Sequence, residues 1–177
     1  EKGLVFADVP RNESNLYVRA YRALTDGDGR SAAERFKEAA AKIVPEADAG
    51  TPIHVFAEVF GEKVQDLTYG RQGVETRGFD VYVGERRLGR FLDTDEKARF
   101  FEEAGMSRVP VLYRGGWSRP VADALCSGGS EIDGAEHIRE GIVITPVRER
   151  KNPQMGRVIL KHVSEAYLTR KGGTECN

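Results

Sequence analysis

Three charged residues lie in or beside runs of apolar residues, where a charge is costly. Glu58 lies within PIHVFAEVFG, Glu140 opens EGIVITPV and Lys161 interrupts GRVILKHV. A charged side chain in such a run raises the free energy of the fold unless it is paired or faces a solvated cleft. Two acids and one base in these positions therefore indicate either a structural ion pair or a site for a ligand that itself carries charge.

The elements that position these residues follow from hydropathy period and turn chemistry. Helical spacing and capping residues predict four helices, near residues 15–24, 32–44, 94–105 and 118–128. Alternation and β-branched content predict strands at 52–61, 78–83, 86–93, 108–115, 140–147 and 156–163, with a tight hairpin turn at Gly84 and Glu85. Strands interrupted irregularly by short helices favour an α+β fold, with mostly antiparallel twisted sheets and flanking short helices.

Bulk properties narrow the function classes. The chain has 177 residues, the size of one domain, and a net charge of −1, so no global field attracts a polyanion. The apolar runs are too short to span a membrane or form a signal peptide. Cys126 and Cys176 lack metal or disulfide spacing, which favours an intracellular, cytoplasmic location. Basic residues cluster near the end of the chain, which fits either a solvated surface or a local groove for an anion.

Four segments together resemble a known superfamily. HVFAEVFG, GFDVYV, EGIVITP and VILKHVSEAYL, in this order, are similar to motifs III, IIIa, IV and V of the covalent nucleotidyltransferases, which include nucleic-acid ligases and mRNA capping enzymes. The similarity is greatest to ATP-dependent RNA ligases, to which VQDLTYG, LYVRA and VPVLYRG also correspond. The resemblance implies that residues 1–177 form a nucleotidyltransferase domain, an ATP-grasp-like ligase adenylation domain.

The chemistry implied by the resemblance uses the residue types noted above. A lysine attacks the α-phosphate of ATP, the resulting lysyl-AMP passes its AMP to an RNA 5′-phosphate, and a 3′-hydroxyl then displaces AMP. Such steps require a hard cation, Mg²⁺ or Mn²⁺, held by carboxylate oxygen. The partners implied are RNA ends, in a nicked duplex or a broken single strand, and no membrane.

The resemblance assigns a role to each of four residues. Glu58 is expected near the ribose hydroxyls or the metal, and the ring of Phe79 is expected to stack on adenine. Glu140 is expected to hold the catalytic metal, and Lys161 to contact the α-phosphate. The structural alternatives for the same residues are a salt-bridged edge acid, a core phenylalanine, a surface glutamate and a lysine that extends to water.

Further substrate contacts are expected around these four. Relatives often carry a second lysine where this chain has Val163, so the grip on phosphate would come from Arg157, His162 or Lys171. The loop that contains Gln65, Asp66 and Tyr69 is expected to face RNA. An ordinary polar turn is the alternative for that loop.

Motif I of the family, K-x-[D/H]-G, begins with the nucleophilic lysine. None of the lysines of this sequence is followed by the rest of that pattern. Lys2 lies nearest the expected end but lacks the pattern, so the nucleophile is expected upstream of Glu1, and no accessory domain is expected within the chain. A DNA ligase or a capping-type guanylyltransferase shares the expected fold. A non-catalytic nucleotide- or RNA-binding module and a plain interaction domain also stay open.

Overall fold

We analysed a computed structural model of the chain, which describes residues 15–24, 29–64 and 67–170. The elements in these residues are, in chain order, helices α1 (Leu16–Ala23) and α2 (Ala32–Ile43), strands β1 (Ile53–Gly61), β2 (Val74–Val83) and β3 (Arg90–Phe91), helices α3 (Thr94–Glu103) and α4 (Arg119–Cys126), strands β4 (Gly141–Ile144), β5 (Lys151–Asn152), β6 (Gly156–Arg157) and β7 (Leu160–Val163), and helix α5 (Glu165–Leu168). The α+β fold with small antiparallel sheets and short helices is confirmed. None of the described helices is long and apolar enough to cross a membrane.

Helix starts follow the capping signals in the sequence. Ser31 and Glu34 form the expected capping box of α2, with the Ser31 hydroxyl accepting from the Glu34 N–H at 3.2 Å and the Glu34 carboxylate accepting from the Ser31 N–H at 2.8 Å. At α3, the Asp93 N–H donates to Glu96 at 2.8 Å in the same way. These local contacts fix the starts of α2 and α3, and all four predicted helices lie close to their predicted positions.

Strands β1, β2 and β3 form an antiparallel sheet with one buried face. That inner face packs with α2 and α3 into the core, whose buried members are Ala39, Ala40, Ile43, Val44, Val81, Val83, Leu92, Phe100, Phe101, Ala104 and Met106. On β1 the burial alternates, so His54, Phe56 and Glu58 lie on the opposite, more exposed face. We call this the outer face of the sheet.

A β-bulge lies opposite the middle of β1. Phe56 pairs with Asp80 and Ala57 with Gly78, so Phe79 is the extra residue of β2. Gly78 points at the core, where an added Cβ would lie 2.1 Å from the Phe101 ring. Phe79 is therefore without a pairing residue on β1, and its side chain is exposed while that of Asp80 beside it is buried.

The remaining strands form two short antiparallel pairs, β4 with β7 and β5 with β6. Loops before β5 are tied to the start of α3, because the Thr94 N–H donates to the Val147 carbonyl at 3.0 Å and the Glu149 N–H donates to Asp93 at 2.6 Å. The second half of the chain is thereby anchored to the helix that packs on the first sheet.

Three strand predictions were wrong in detail. Residues 108–115 form no strand: Arg108 makes one isolated bridge to Gly78, and beyond it Pro110 has no N–H to offer a partner. The hairpin between β2 and β3 is a six-residue connection, 84–89, rather than a tight turn at Gly84 and Glu85. The run 156–163 divides into β6 and β7, because β6 pairs with β5 while β7 pairs with β4.

Candidate active site

Glu140 lies immediately before β4, and its side chain is bound by a tyrosine from a distant loop. The Tyr69 hydroxyl donates a hydrogen bond to Glu140 Oε1, although the two residues are 71 positions apart. The Glu140 carbonyl accepts from the Ser164 N–H at 2.8 Å. Both the main chain and the carboxylate of Glu140 are therefore held.

Glu58 belongs to the same neighbourhood, because its carboxylate also acts electrostatically on Tyr69. Burial and the hydrogen bond to Glu140, with the negative charges of Glu140 and Glu58, raise the pKa of the Tyr69 phenol well above its usual range. The phenol therefore keeps its proton and stays a donor. Glu140 therefore contacts the Tyr69 hydroxyl directly, and Glu58 acts on it through its charge.

Tyr69 is itself fixed by its surroundings. Its ring packs edge-on against Phe60, at 5.0 Å between centroids, and against His137, at 4.4 Å. Its φ of +54° is unusual for a residue with a side chain. Gly70 follows at φ +69°, and a Cβ there would lie 2.0 Å from the Gly134 carbonyl oxygen, so the loop rests directly on the segment before β4.

Phe79 lies on the outer face of the sheet, as does Glu58. Its ring centroid is 6.4 Å from that of Phe56, which in turn is 5.9 Å from that of Phe91. With 44% of its surface exposed, Phe79 offers a ring face to a ligand at the edge of an aromatic cluster. The placement suits a base-stacking residue better than a core phenylalanine.

Lys161 lies on β7, cross-strand from the exposed Val143. Its side chain is exposed and has no hydrogen bond or ion pair with the described residues. Val163 lies two residues on, opposite Gly141, as the sequence indicates. His162 alternates to the other face of β7, where its Nδ1 lies 3.7 Å from Asp123 of α4.

Arg157 is committed to a buried ion cluster. It donates to Glu149 at 2.9 and 2.6 Å and to Asp80, and Lys97 Nζ lies 3.3 Å from Asp80. Its guanidinium also covers the Phe91 ring, 3.6 Å from the centroid. Burial opposes the guanidinium charge, but the hydrogen bonds to Glu149 and Asp80 outweigh it and raise the pKa of Arg157 above its usual range. We name Asp80, Lys97, Glu149 and Arg157 the ion cluster; its contacts leave Arg157 little capacity to bind phosphate.

Four of the sequence-predicted positions, Lys2, Gln65, Asp66 and Lys171, lie outside the described residues. Sequence reasoning missed two features of the site. The sequence predicted that Tyr69 faces RNA and did not indicate its hydrogen bond to Glu140. It also did not single out Asp80 or Lys97. The available signal was an acid in the apolar run GFDVYV and a lysine on the apolar side of α3.

Comparisons with known proteins show the family of the chain. The model of the RNA ligase family matches residues 5–163. This chain belongs to the RNA ligase family. Among curated proteins, none is similar enough in sequence to match it.

Two solved structures of a Naegleria gruberi RNA ligase share the fold. One is a lysine-to-alanine mutant with ATP and Mn, and the other contains PPi. Each has a TM-score of 0.52 and 21% identity, over 77% of this chain and 38% of the ligase chain. This chain thus spans well under half the length of those ligases.

The carboxylates present fit the hard cation that the family implies. Mg²⁺ is usually held by one or two protein carboxylates together with substrate phosphates. Glu140, which accepts a hydrogen bond from Tyr69, and Glu58, whose charge acts on the same phenol, are the two carboxylates available near that residue. The described residues contain no group of three or more potential ligands that would form an all-protein metal cage. A site completed by phosphate is consistent with that composition.

Proposed function

We propose that this chain is the adenylation domain of an ATP-dependent RNA ligase, which joins an RNA 5′-phosphate to a 3′-hydroxyl. The observation that carries the proposal is the hydrogen bond between Tyr69 and Glu140, with the Glu58 charge acting on the same phenol, in a chain of the RNA ligase family. The ligase in the neighbouring structures was captured with ATP, Mn and PPi, which are the nucleotide, a divalent metal and the leaving group of the first step.

The residues divide the work of binding ATP. Phe79 stacks on adenine from the outer face, and Glu58, two residues along β1 from Phe56, contacts the ribose or the metal. The exposed amine of Lys161 binds the α-phosphate, where its charge offsets the charge of the phosphorane. Mg²⁺ or Mn²⁺, bound by Glu140, would neutralise phosphate oxygens and assist departure of pyrophosphate.

The reaction consists of three displacements at phosphorus. A lysine nitrogen forms a bond to the α-phosphorus, and the bond from that phosphorus to pyrophosphate breaks. The RNA 5′-phosphate oxygen then takes AMP from the lysine, and the 3′-oxygen displaces AMP as the phosphodiester forms. We propose that the nucleophilic lysine is supplied by residues before Glu1, because no lysine of this sequence carries motif I.

The first displacement provides the test. The complete natural protein, incubated with Mg²⁺ and ATP labelled at the α-phosphate, is expected to acquire a covalent label. Acid should release this label, as expected of AMP bound to a lysine nitrogen. Labelled GTP and NAD in parallel reactions distinguish a capping-type guanylyltransferase and an NAD-dependent ligase. Glu140→Gln is expected to lower labelling by about a hundredfold or more, as loss of a metal carboxylate does.

Arg119→Gln is the matched control, because it also removes a charge but breaks an exposed pair with Asp123 on α4. It is expected to label as the wild type does. Absence of label on the wild-type protein with all three nucleotides would contradict the proposal and would favour a non-catalytic binding module.

A further inference from the structure

Tyr69 makes a contact that the ATP-binding roles above do not use. Its hydroxyl donates to one oxygen of Glu140, while the Glu140 main chain is held by Ser164. A free glutamate side chain samples several rotamers, and holding one of them beforehand reduces the entropy lost when a ligand binds. The hydrogen bond from Tyr69 thus restricts the orientation of the Glu140 carboxylate.

The loop that carries Tyr69 is built to hold that hydroxyl in place. Backbone at positive φ in a residue with a side chain persists only where the surroundings impose it. Here the surroundings are the rings of Phe60 and His137 and the close approach of Gly70 to Gly134. The strained conformation thereby connects the end of β1 to the segment that precedes β4.

The phenol is also a suitable group chemically. It is neutral, so it adds no charge that would repel a cation, and an ordinary phenol, with a pKa of about 10, keeps its proton at neutral pH and can donate. A lysine or arginine in the same place would pair with Glu140 and compete with the metal.

We propose that Tyr69 is a positioning residue that orients the Glu140 carboxylate for the catalytic divalent cation. The inference rests on the proposed function and deepens it: the loop expected to face RNA serves the metal site through Tyr69. The role is exerted through Glu140, without contact between Tyr69 and substrate.

The test measures cation binding directly. Binding of Mn²⁺ to the complete natural protein with ATP is followed by electron paramagnetic resonance, for wild type and Tyr69→Phe. We expect the Mn²⁺ dissociation constant to rise about tenfold in Tyr69→Phe, since a hydrogen bond to a charged group is lost. Tyr113→Phe is the control, because it removes an exposed hydroxyl that donates only to the Gly116 carbonyl, at 3.4 Å; its constant should equal that of the wild type.

A double-mutant cycle separates this role from simple destabilisation. If Tyr69 acts through Glu140, Tyr69→Phe adds less than a twofold change in a Glu140→Gln background but retains its full effect in a Glu58→Gln background. Equal effects in all three backgrounds, or unchanged Mn²⁺ binding in Tyr69→Phe, would overturn the inference.

The two proposals fail differently. A wild-type protein that binds Mn²⁺ with ATP but forms no adenylate contradicts the proposed function, and the Tyr69 cycle still decides the positioning role. A protein that forms adenylate with the same Mn²⁺ affinity after Tyr69→Phe contradicts the positioning role alone. A protein that does not bind Mn²⁺ with ATP contradicts both.

Discussion

At the scale of single residues, Phe79 is the extra residue of the β-bulge in β2. In a regular strand, the residue between Gly78 and Asp80 would pair with β1 and follow the alternation of its neighbours. The bulge removes that pairing and leaves the ring exposed beside Phe56. A large aromatic surface is therefore available for a base, at little cost to the core.

Phe79→Ala should weaken ATP binding about tenfold, since stacking of an aromatic ring on a base contributes about 1–3 kcal/mol. Thermal stability should change little, because the ring is half-exposed. Calorimetric titration with ATP measures the first effect and a melting curve the second. Trp117→Ala, at another exposed aromatic residue, serves as the control. Unchanged ATP affinity in Phe79→Ala would remove this ring from the site.

At the scale of elements, β4 follows directly after Glu140, the proposed metal-site acid, and pairs with β7, which carries Lys161, the proposed phosphate-site lysine. Gly141 follows Glu140 directly and lies opposite β7 so closely that a Cβ would be 2.2 Å from the His162 carbonyl oxygen. Its φ of +153° also disfavours a side chain. The glycine in EGIVITP is thus required by the spacing between two backbones.

Gly141→Ala should displace β4 from β7 and lower the free energy of unfolding by about 1–3 kcal/mol, as overpacking does. Adenylate formation should fall even at temperatures where the variant is folded, because Glu140 directly precedes the displaced strand. Urea titration and α-phosphate labelling test the two effects. Gly116→Ala has open space around its Cβ and should behave as the wild type does; a Gly141→Ala protein equal to it in both assays would show that the close approach is not essential.

At the scale of the whole molecule, the ion cluster joins parts of the chain that are far apart in sequence. Asp80 comes from the first sheet, Lys97 from α3, Glu149 from the loop before β5 and Arg157 from β6. Two acids and two bases balance in charge, which keeps the burial of Asp80 and Lys97 and the partial burial of Glu149 and Arg157 tolerable. The cluster also fixes Asp80, the neighbour of Phe79, and so connects stability to the proposed nucleotide site.

Arg157→Met should lower the free energy of unfolding by about 3 kcal/mol, because it leaves the two acids, Asp80 and Glu149, with Lys97 as the remaining cation of the cluster. Arg157→Lys should lose less, since it keeps the charge and gives up the paired hydrogen bonds and the stack on Phe91. Urea unfolding of the three proteins provides the measurement. An Arg157→Met protein as stable as wild type would show that the cluster does not hold the two halves together.

The local features of this structure could be predicted from the sequence. Capping residues located the helices, alternation located β1 and β4, and ordered motifs selected Glu58, Phe79, Glu140 and Lys161. What it did not carry are contacts between distant residues: Tyr69 with Glu140, 71 positions apart, and Arg157 with Asp80, 77 apart. An apolar run such as 108–115 also does not reveal whether a partner strand exists. These features depend on tertiary packing, which a period of two or 3.6 residues does not encode.

Sealing of RNA tests the central claim most directly. The complete natural protein is given ATP, Mg²⁺ and a nicked RNA duplex labelled at the 5′-phosphate of the nick, with a nicked DNA duplex and a broken single-stranded RNA in parallel. The account predicts that the RNA label moves into a longer strand and becomes resistant to phosphatase, and that Glu140→Gln abolishes the change. A label that stays phosphatase-sensitive on both RNA substrates, or that is protected on DNA alone, would contradict it.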